Sequence, residues 1–343
     1  MRRQSLRLLQ ATLVFFASFI LVGAAIAQGN FFAGKTMRFI VGFSAGGGYD
    51  TYTRLVARHM SKHIPGNPAI IVENMTGAGS MIAANYIFKV ADPDGLSIAH
   101  FIGGLFLQQI LDKPGIEFDA LKYEFLGVPA QDNFILFVSK DAGITDVKQW
   151  IESGKVIKFG GVASGSGTND IPNILKATLG LPIQLVSGYK GTAPIRLAFN
   201  SGEVQGLSNS WESTKSTWRN EVERGAINIV IQANVKSHPE LTKVPVAIDL
   251  AKSEEAKKLI RTVLKVHGAS VRPYVLPPGT PKDRVQILRK AFMETMKDPE
   301  LLAEAEKANL DINPTDGAEL EQNVKEIFEI DAGMIAKLKE ILK

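Results

Sequence analysis

Two glycine-bearing turns, at residues 44–50 and 76–80, carry the strongest chemical signal in the sequence. They read Ser-Ala-Gly-Gly-Gly-Tyr-Asp and Thr-Gly-Ala-Gly-Ser, and each follows a strand-like apolar run and precedes a helix-like one. Glycine has no Cβ, so an anion can approach the backbone N–H groups, which are unpaired and partly positive at a helix N-terminus. The two turns therefore predict a carboxylate or phosphate site that needs no charged side chain.

A third glycine-rich segment, at 160–169, resembles a phosphate-binding loop only superficially. It follows a strand-like run and leads into a helix-like one, but it lacks the Gly-Lys-Ser/Thr ending. Without that ending, no lysine reaches a terminal phosphate and no hydroxyl is placed for a metal ion, so a nucleotide is not expected. The hydroxyl groups of Ser164, Ser166 and Thr168 suit a carboxylate or another hydrogen-bonding oxygen.

The elements that must position these loops alternate between strand-like and helix-like patterns. Strand, glycine loop and helix follow one another from 37 to about 130, and a second such block runs from about 131 to 250. This alternation is typical of an α/β protein with mainly parallel sheets. After 251 the pattern is mostly helical, and we expect this tail to return to the first block. The sequence predicts two lobes, 28–130 with 251–343 and 131–250, joined by a hinge with the ligand between them.

The first 27 residues are typical of a secretory signal peptide. Three arginines within the first seven residues precede an apolar stretch over 11–25, which ends in the small-residue pattern Ala-Ile-Ala at 25–27. A membrane anchor is the competing interpretation, but this ending and the polar residues after it favour cleavage. We therefore expect a periplasmic protein.

Composition excludes several classes of function. Removal of residues 1–27 leaves 36 basic and 35 acidic side chains, a formal charge of +1, without a Lys/Arg cluster, so a nucleic-acid partner is not expected. The chain has no cysteine, which excludes disulfides, thiolate metal sites and a cysteine nucleophile.

The sequence contains no catalytic or metal-binding signature. His59 and His63 are four residues apart, but no HExxH pattern surrounds them. Ser166 lacks the glycines that a nucleophile elbow needs two residues to either side, where the chain has Ser164 and Thr168. We expect no enzymatic activity, no metal and no cofactor.

Four ordered motifs give the chain a family likeness. They are residues 43–54 (Phe-Ser-Ala-Gly-Gly-Gly-Tyr-Asp-Thr-Tyr-Thr-Arg), 72–79 (Val-Glu-Asn-Met-Thr-Gly-Ala-Gly), 91–95 (Ala-Asp-Pro-Asp-Gly), and 189–194 (Tyr-Lys-Gly-Thr-Ala-Pro) followed by Ser-Gly-Glu-Val at 201–204. Together they resemble the tripartite tricarboxylate transporter receptors, the extracytoplasmic solute receptors also called the Bug family.

The resemblance implies a two-lobed periplasmic binding protein of type 2, a Venus flytrap. It also implies a receptor, expected to be monomeric, that captures a small organic acid and delivers it to a membrane permease of one large and one small subunit. Relatives hold their ligand mainly through backbone N–H groups and ordered waters. The ligand-binding residues carried over are Ser44, Ala45, Gly46, Gly47, Tyr49, Asp50, Thr76, Gly77, Ala78, Gly79, Ser80, Ser164, Gly165, Ser166, Gly167, Thr168, Asn169, Tyr189, Lys190, Gly191, Thr192 and Asn209.

The chain departs from the family pattern where ligand identity is decided. Ser44 and Ala45 replace the usual prolines of the first loop, and Gln205 stands where relatives have an acid after Gly-x-Val. That acid faces a ligand amino group in some relatives, so an amino-acid ligand is less expected here. Asp50 would repel an anion and is expected to cap helix N–H groups instead. For Lys190, a ligand contact and a solvated side chain both stay open.

Two other functions stay open. One is a secreted hydrolase of an ester or amide, and the other is a sensor subunit that uses the same binding fold. Neither has a residue signature of its own in the sequence. The sequence also leaves open which carboxylate would bind.

Overall fold

The structure is a computed structural model that describes residues 31–342. Its strands form one sheet of six strands and one of five. In chain order the strands are β1 (Thr36–Val41), β2 (Ala69–Asn74), β3 (Ser97–His100), β4 (Glu124–Val128), β5 (Phe134–Ser139), β6 (Ile157–Gly160), β7 (Ile183–Val186), β8 (Gly206–Ser210), β9 (Ile227–Ala233), β10 (Tyr274–Leu276) and β11 (Thr315–Asp316).

Helices cover both sheets. The α-helices in residues 31–342 are α1 (Gly48–Met60), α2 (Met81–Lys89), α3 (Gly104–Ile110), α4 (Val147–Ser153), α5 (Gly167–Leu179), α6 (Thr192–Asn200), α7 (Trp211–Thr217), α8 (Arg219–Glu223), α9 (Ala247–Leu250), α10 (Glu254–Ala269), α11 (Lys282–Thr295), α12 (Pro299–Lys307), α13 (Gly317–Phe328) and α14 (Ala332–Ile341).

The first sheet has the strand order β11-β4-β10-β3-β1-β2. β1 is parallel to β2 and β3, whereas β10 is antiparallel to β3 and β4. Every residue of β3 and β4 is buried, because helices pack on these central strands. Since parallel strands end at the same edge, the loops after β1, β2 and β3 lie side by side. These are the loops that contain the first two glycine turns.

The second sheet has the strand order β7-β6-β8-β5-β9. β6 is parallel to β7 and β8, and β5 is antiparallel to β8 and β9. The glycine loops after β6 and β7 therefore leave from one edge of the sheet, and α5 and α6 begin from them. This arrangement gives the second sheet a loop edge like that of the first.

The predicted α/β class and two-lobed fold are confirmed, but the sheets are mixed rather than mainly parallel. In the first sheet, β10 and β11 come from the C-terminal part of the chain and enter antiparallel. In the second, the chain enters through β5, which runs against both of its neighbours. The return of the tail was expected from the sequence, and a strand-like run at 269–275 overlaps β10. The two-residue strand β11 was not expected, because it lies in a segment of helical pattern.

The chain passes between the sheets at two buried crossings. It leaves the first sheet over 129–133, between β4 and β5, and returns over 270–273, between α10 and β10. α10 packs against α5 of the second sheet and also against α3 and α13 of the first. Each crossing carries a buried charged residue, Asp132 in the first and Arg272 in the second.

The predicted signal peptide, residues 1–27, lies outside the described residues. Within 31–342, none of the helices has the length and apolar character needed to cross a bilayer.

Candidate functional site

A cavity lies between the two lobes, where their loop edges face each other. Its free volume in this structure is about 40 Å³. Both sheets and both chain crossings contribute to its wall. The lining residues are Phe43, Gly47, Gly48, Tyr49, Ile102, Asp132, Phe134, Val162, Ser166, Gly167, Thr168, Gly191, Thr192, Asn209, Ser210, Ser213 and Arg272.

Three helices begin at this cavity without a side-chain cap. Their N-cap residues, Gly47 for α1, Ser166 for α5 and Gly191 for α6, all line it, and none of their side chains accepts a hydrogen bond from the first turn. The other helices of the described chain are of both kinds: α4, α10, α12, α13 and α14 have an Asp or Ser N-cap whose side chain accepts such a bond, whereas α2, α3, α8, α9 and α11 do not. The first-turn N–H groups at the cavity are therefore available to an anionic ligand.

Arg272 brings a positive charge to the cavity, and its guanidinium group is held from several sides. Its Nε donates to Asp132 Oδ1 at 2.7 Å, and its Nη2 donates to Ser213 Oγ at 2.7 Å and to Ser210 Oγ at 3.1 Å. The guanidinium carbon lies 4.7 Å from the centre of the Tyr49 ring. Within the described chain, Nη1 is buried and has no hydrogen-bond partner. Arg272 is thus fixed in place with one donor group unused.

One buried carboxyl group, Asp132, is bound to Arg272, and a second, Glu212, lies near Asp132. Burial raises the pKa of Asp132, and the guanidinium of Arg272 opposes that rise. Glu212, on α7, accepts from Asn133 N at 3.0 Å and from Asn133 Nδ2 at 2.7 Å. Burial and the neighbouring Asp132 carboxyl raise the pKa of Glu212 to about 7. The charge next to the cavity therefore depends on pH in the physiological range.

Eight of the residues predicted to bind ligand line this cavity. They are Gly47, Tyr49, Ser166, Gly167, Thr168, Gly191, Thr192 and Asn209. They come from three of the four predicted loops and from the end of β8, so the structure brings together residues up to 162 positions apart in the chain.

The remaining predicted residues surround the cavity and do not line it. They are Ser44, Ala45, Gly46, Asp50, Thr76, Gly77, Ala78, Gly79, Ser80, Ser164, Gly165, Asn169, Tyr189 and Lys190. Several of them join the lobes: Ser44 N donates to Lys190 O at 3.0 Å across the cleft. A Cβ on Gly79 would lie 2.8 Å from the Cβ of Ala163. The Lys190 side chain is exposed.

Asp50 organises the first glycine loop. Its carboxylate accepts from Gly46 N at 2.9 Å, from Asn74 Nδ2 at 2.9 Å and from Arg54 Nε at 3.0 Å. Burial alone would raise the pKa of Asp50, but these hydrogen bonds outweigh burial and lower it. The sequence predicted that Asp50 caps helix N–H groups; the backbone N–H it binds, that of Gly46, instead lies in the loop before α1.

The Asp50→Asn variant should lower the free energy of unfolding by about 1 to 3 kcal/mol at pH 7, because an ionised, buried acceptor is lost. A lowered folded-state pKa stabilises the protein above the ordinary value near 3.8, and this contribution disappears as the pH falls through the folded-state pKa. The difference in free energy of unfolding between the wild type and the variant should therefore decrease towards pH 3. Urea denaturation of both proteins at pH 7, 5 and 3 measures this difference. A difference that does not change with pH would contradict this account.

The sequence did not single out Arg272, Asp132, Ser210 or Ser213. Arg272 does leave a trace, since it stands alone in the strand-like apolar run 269–275 (Ala-Ser-Val-Arg-Pro-Tyr-Val). A lone charge within such a run indicates a buried pair or a site. Its partner Asp132 lies 140 residues away, and no local spacing connects them.

Within residues 31–342, the Ser166 hydroxyl and the carboxylates near His59 already have other partners. Ser166 Oγ donates to Ala163 O at 2.6 Å, and among the hydrogen bonds of residues 31–342 none joins Ser166 to a histidine. His59, Asp298 and Glu300 are close enough to hold a metal ion. However, Lys62 Nζ lies 2.7 Å from Asp298 and 2.6 Å from Glu300, so these carboxylates already have a cation.

Comparison with known proteins gives one family match. Residues 52–339 match the family model described as tripartite tricarboxylate transporter family receptor. A curated relative from Cupriavidus necator, described as a UPF0065 protein in the gbd 5′ region, is 24% identical over 92% of this chain and 90% of its own.

Three solved structures share the fold. The periplasmic binding protein BugD has a TM-score of 0.72 at 20% identity, covering 89% of this chain and 96% of its own. MatC from Rhodopseudomonas palustris, solved with bound malate, has a TM-score of 0.70 at 20% identity, and the match covers 90% of this chain and 99% of MatC. A second R. palustris protein, solved with adipate, has a TM-score of 0.72 at 21% identity, and the match covers 90% of this chain and 98% of its own.

Proposed function

Because the chain belongs to the tripartite tricarboxylate transporter receptor family, we propose that it is a periplasmic receptor for a small organic carboxylate bound in the interlobe cavity. It delivers this ligand to a membrane permease of one large and one small subunit. It acts as a monomer and performs no chemistry on the ligand. The lobes are 28–130 with 251–343 and 131–250. They close about hinges near 129 and 251, and α10, which follows the second hinge, packs on both lobes.

The convergence of three uncapped helix N-termini on one cavity carries this proposal. Each N-terminus is equivalent to about half a positive charge, and its free N–H groups bind oxygen anions well. The cavity lies between lobes, so closure removes water from the ligand and strengthens these hydrogen bonds. Relatives of this fold hold malate and adipate, which are small dicarboxylic acids. The free volume here is about 40 Å³, so we expect the lobes to separate to admit such a ligand.

The rest of the wall sets the size and character of the ligand. Phe43, Ile102, Phe134 and Val162 give it apolar sides between the polar groups of the helix N-termini. A short carbon chain or ring with carboxylate ends matches this distribution. A large or strongly hydrated polyanion does not, because its charges would face apolar walls.

A thermal-shift panel tests the proposal with malate, succinate, adipate, benzoate and uncharged adipamide. At about one hundred times its Kd, a bound carboxylate should raise Tm by about 5 °C, because a ligand that binds only the folded state stabilises it. Adipamide should leave Tm unchanged. A shift with adipamide and with none of the carboxylates would contradict the proposal.

Assays of uptake and of hydrolysis distinguish a transport receptor from a sensor subunit and from a secreted hydrolase. Cells that lack this receptor should lose uptake of the carboxylate identified in the panel, and a sensor would change gene expression instead. The purified protein should not hydrolyse a chromogenic ester. Turnover that disappears in Ser166→Ala would establish a hydrolase.

A further inference from the structure

We propose that Arg272 contacts the ligand directly and that its Nη1 group donates to a ligand carboxylate. This inference rests on the proposed function and adds a charged, specificity-determining contact to a site otherwise made of backbone N–H groups. The ligand class it predicts is an acid with one ionised carboxylate at the deep, Arg272 end of the cavity and an apolar body beyond it.

The hydrogen bonds of the guanidinium leave one group for the ligand. Asp132 occupies Nε, while Ser210 and Ser213 occupy Nη2. Nη1 has no partner among residues 31–342, although Arg272 is only 1% exposed and lines the cavity. An unpaired buried donor is costly, and this cost disappears when an acceptor arrives in the cavity.

The surroundings of Arg272 hold it ready for such a contact. The rings of Tyr49 and Tyr52 lie 4.7 and 4.8 Å from the guanidinium carbon. Tyr49 is itself fixed, since its hydroxyl donates to Val271 O at 2.7 Å. A side chain held by an acid, two hydroxyls and two rings loses little conformational entropy when it binds a ligand.

Electrostatics at this end of the cavity favour an added anion. The guanidinium lies beside the N-terminus of α1, where a Cβ on Gly48 would be 3.4 Å from Nη2. A cation next to the positive end of a helix is unfavourable, and Asp132 compensates for only one charge. A ligand carboxylate between Nη1 and the first turn of α1 would balance the excess.

The negative charge of Asp132 opposes the binding of a ligand carboxylate at Arg272. Removal of that charge should therefore raise the affinity for the carboxylate. Among the residues that line the cavity, Asp132 and Arg272 carry the charged side chains. Asp132→Asn keeps an acceptor for Nε but removes the negative charge. Isothermal titration with adipate and malate should therefore show binding about tenfold tighter than in the wild type. Loss of a negative charge from the cavity wall favours any bound anion, so the assignment to Nη1 depends on the Arg272→Lys result below, whereas an unchanged or weaker affinity in this variant would overturn the proposal.

The conservative change Arg272→Lys tests the same contact by loss. A lysine ammonium cannot satisfy Asp132, the two serines and the ligand together, so carboxylate affinity should fall about 10- to 100-fold. The matched control is Arg289→Lys, since Arg289 is a half-buried arginine that donates to Phe125 O and lies outside the cavity wall. It should bind as the wild type does, and equal losses in both variants would overturn the proposal.

A crystal structure of the wild type with adipate or malate decides the question even if both variants fail to fold. It should place a carboxylate oxygen about 2.7 to 3.0 Å from Nη1. A bound carboxylate with every oxygen beyond hydrogen-bond distance of Nη1 would overturn the role of Arg272 and leave the receptor function intact. A wild type that binds adipamide but none of the acids would instead overturn the receptor function proposed above.

Discussion

Replacement of Gly104 by alanine should keep the two lobes from closing and reduce carboxylate affinity more than 100-fold. Gly104 begins α3 in the first lobe, and a Cβ there would lie 2.1 Å from the backbone oxygen of Gly165 in the second. The same Cβ would lie 2.7 Å from His267 Cε1. Backbone atoms at these distances must separate, and the lobes can do so by rotating about the hinges near 129 and 251 without unfolding.

The expected phenotype is a folded receptor with an open cleft. Opening costs the ligand its contacts with one lobe, so the loss in affinity should exceed about 2.7 kcal/mol, which is 100-fold. Small-angle scattering with saturating adipate or malate should show compaction of the wild type but none in the variant.

Gly333→Ala is the matched control for Gly104→Ala. Gly333 also lies in the first turn of a helix, α14, but it is exposed. A Cβ there would lie 3.3 Å from Asp331 Oδ1, an atom of an exposed side chain. Both changes add the same methyl group to a helix, so the difference between them reports the contacts at Gly104, of which the shortest crosses the cleft to Gly165. A Gly104→Ala protein that compacts and binds as the control does would show that the lobes do not meet there in the bound state.

The loops of the site could be predicted from the sequence because their chemistry is local. A glycine turn between an apolar run and a helix-period run is readable within about ten residues, and Gly47, Ser166 and Gly191 all follow that pattern. The parallel pairing of β1 with β3 and of β6 with β7 then brings such loops to one edge of each sheet. Both steps use only short-range patterns and known sheet geometry.

The charged part of the site could not be predicted because it is set by tertiary contacts. Arg272 and Asp132 lie on different crossings, and although a lone arginine in an apolar run indicates a buried pair, nothing in the sequence marks Asp132 as its partner. The antiparallel entry of β10 beside β3 places Arg272 next to Tyr49 and Tyr52. That pairing involves a three-residue strand, which carries too few residues for periodicity to reveal.

A similar limit explains the predicted residues that do not line the cavity. The turn at 76–80 has the composition of an anion loop, but Ser80 Oγ accepts from Ile102 N at 3.1 Å and so ties two loops of the first sheet together. In the second lobe, Asn169 Nδ2 donates to Ser187 Oγ at 2.8 Å. These polar groups hold the loops in place, and sequence alone does not distinguish such groups from those that face a ligand.

Glu212→Gln should stabilise the protein by about 2 to 3 kcal/mol at pH 8 and leave its stability nearly unchanged at pH 4.5. The Glu212 side chain is 1% exposed, and burial together with the Asp132 carboxyl raises its pKa from the ordinary 4.5 to about 7. Between these values the folded state binds more protons than the unfolded state. The stability of the wild type therefore falls as the pH rises from 4.5 to 7, by about 3 kcal/mol for a shift of this size.

Glutamine removes the titrating group and, like the protonated acid, keeps one of the two oxygens that accept from Asn133, so the variant should lose this pH dependence. Urea denaturation of both proteins at pH 4.5, 6, 7 and 8 gives the difference in their free energies of unfolding. The contributions of all other titrating groups cancel in this difference. Glu221→Gln is the control, because Glu221 is also buried but accepts from Asn200 Nδ2 at 2.8 Å and has Arg224 3.9 Å away, so loss of its charge should not stabilise. If the advantage of Glu212→Gln did not grow with pH, Glu212 would be ionised throughout, and the cavity would carry a second permanent negative charge that works against carboxylate binding.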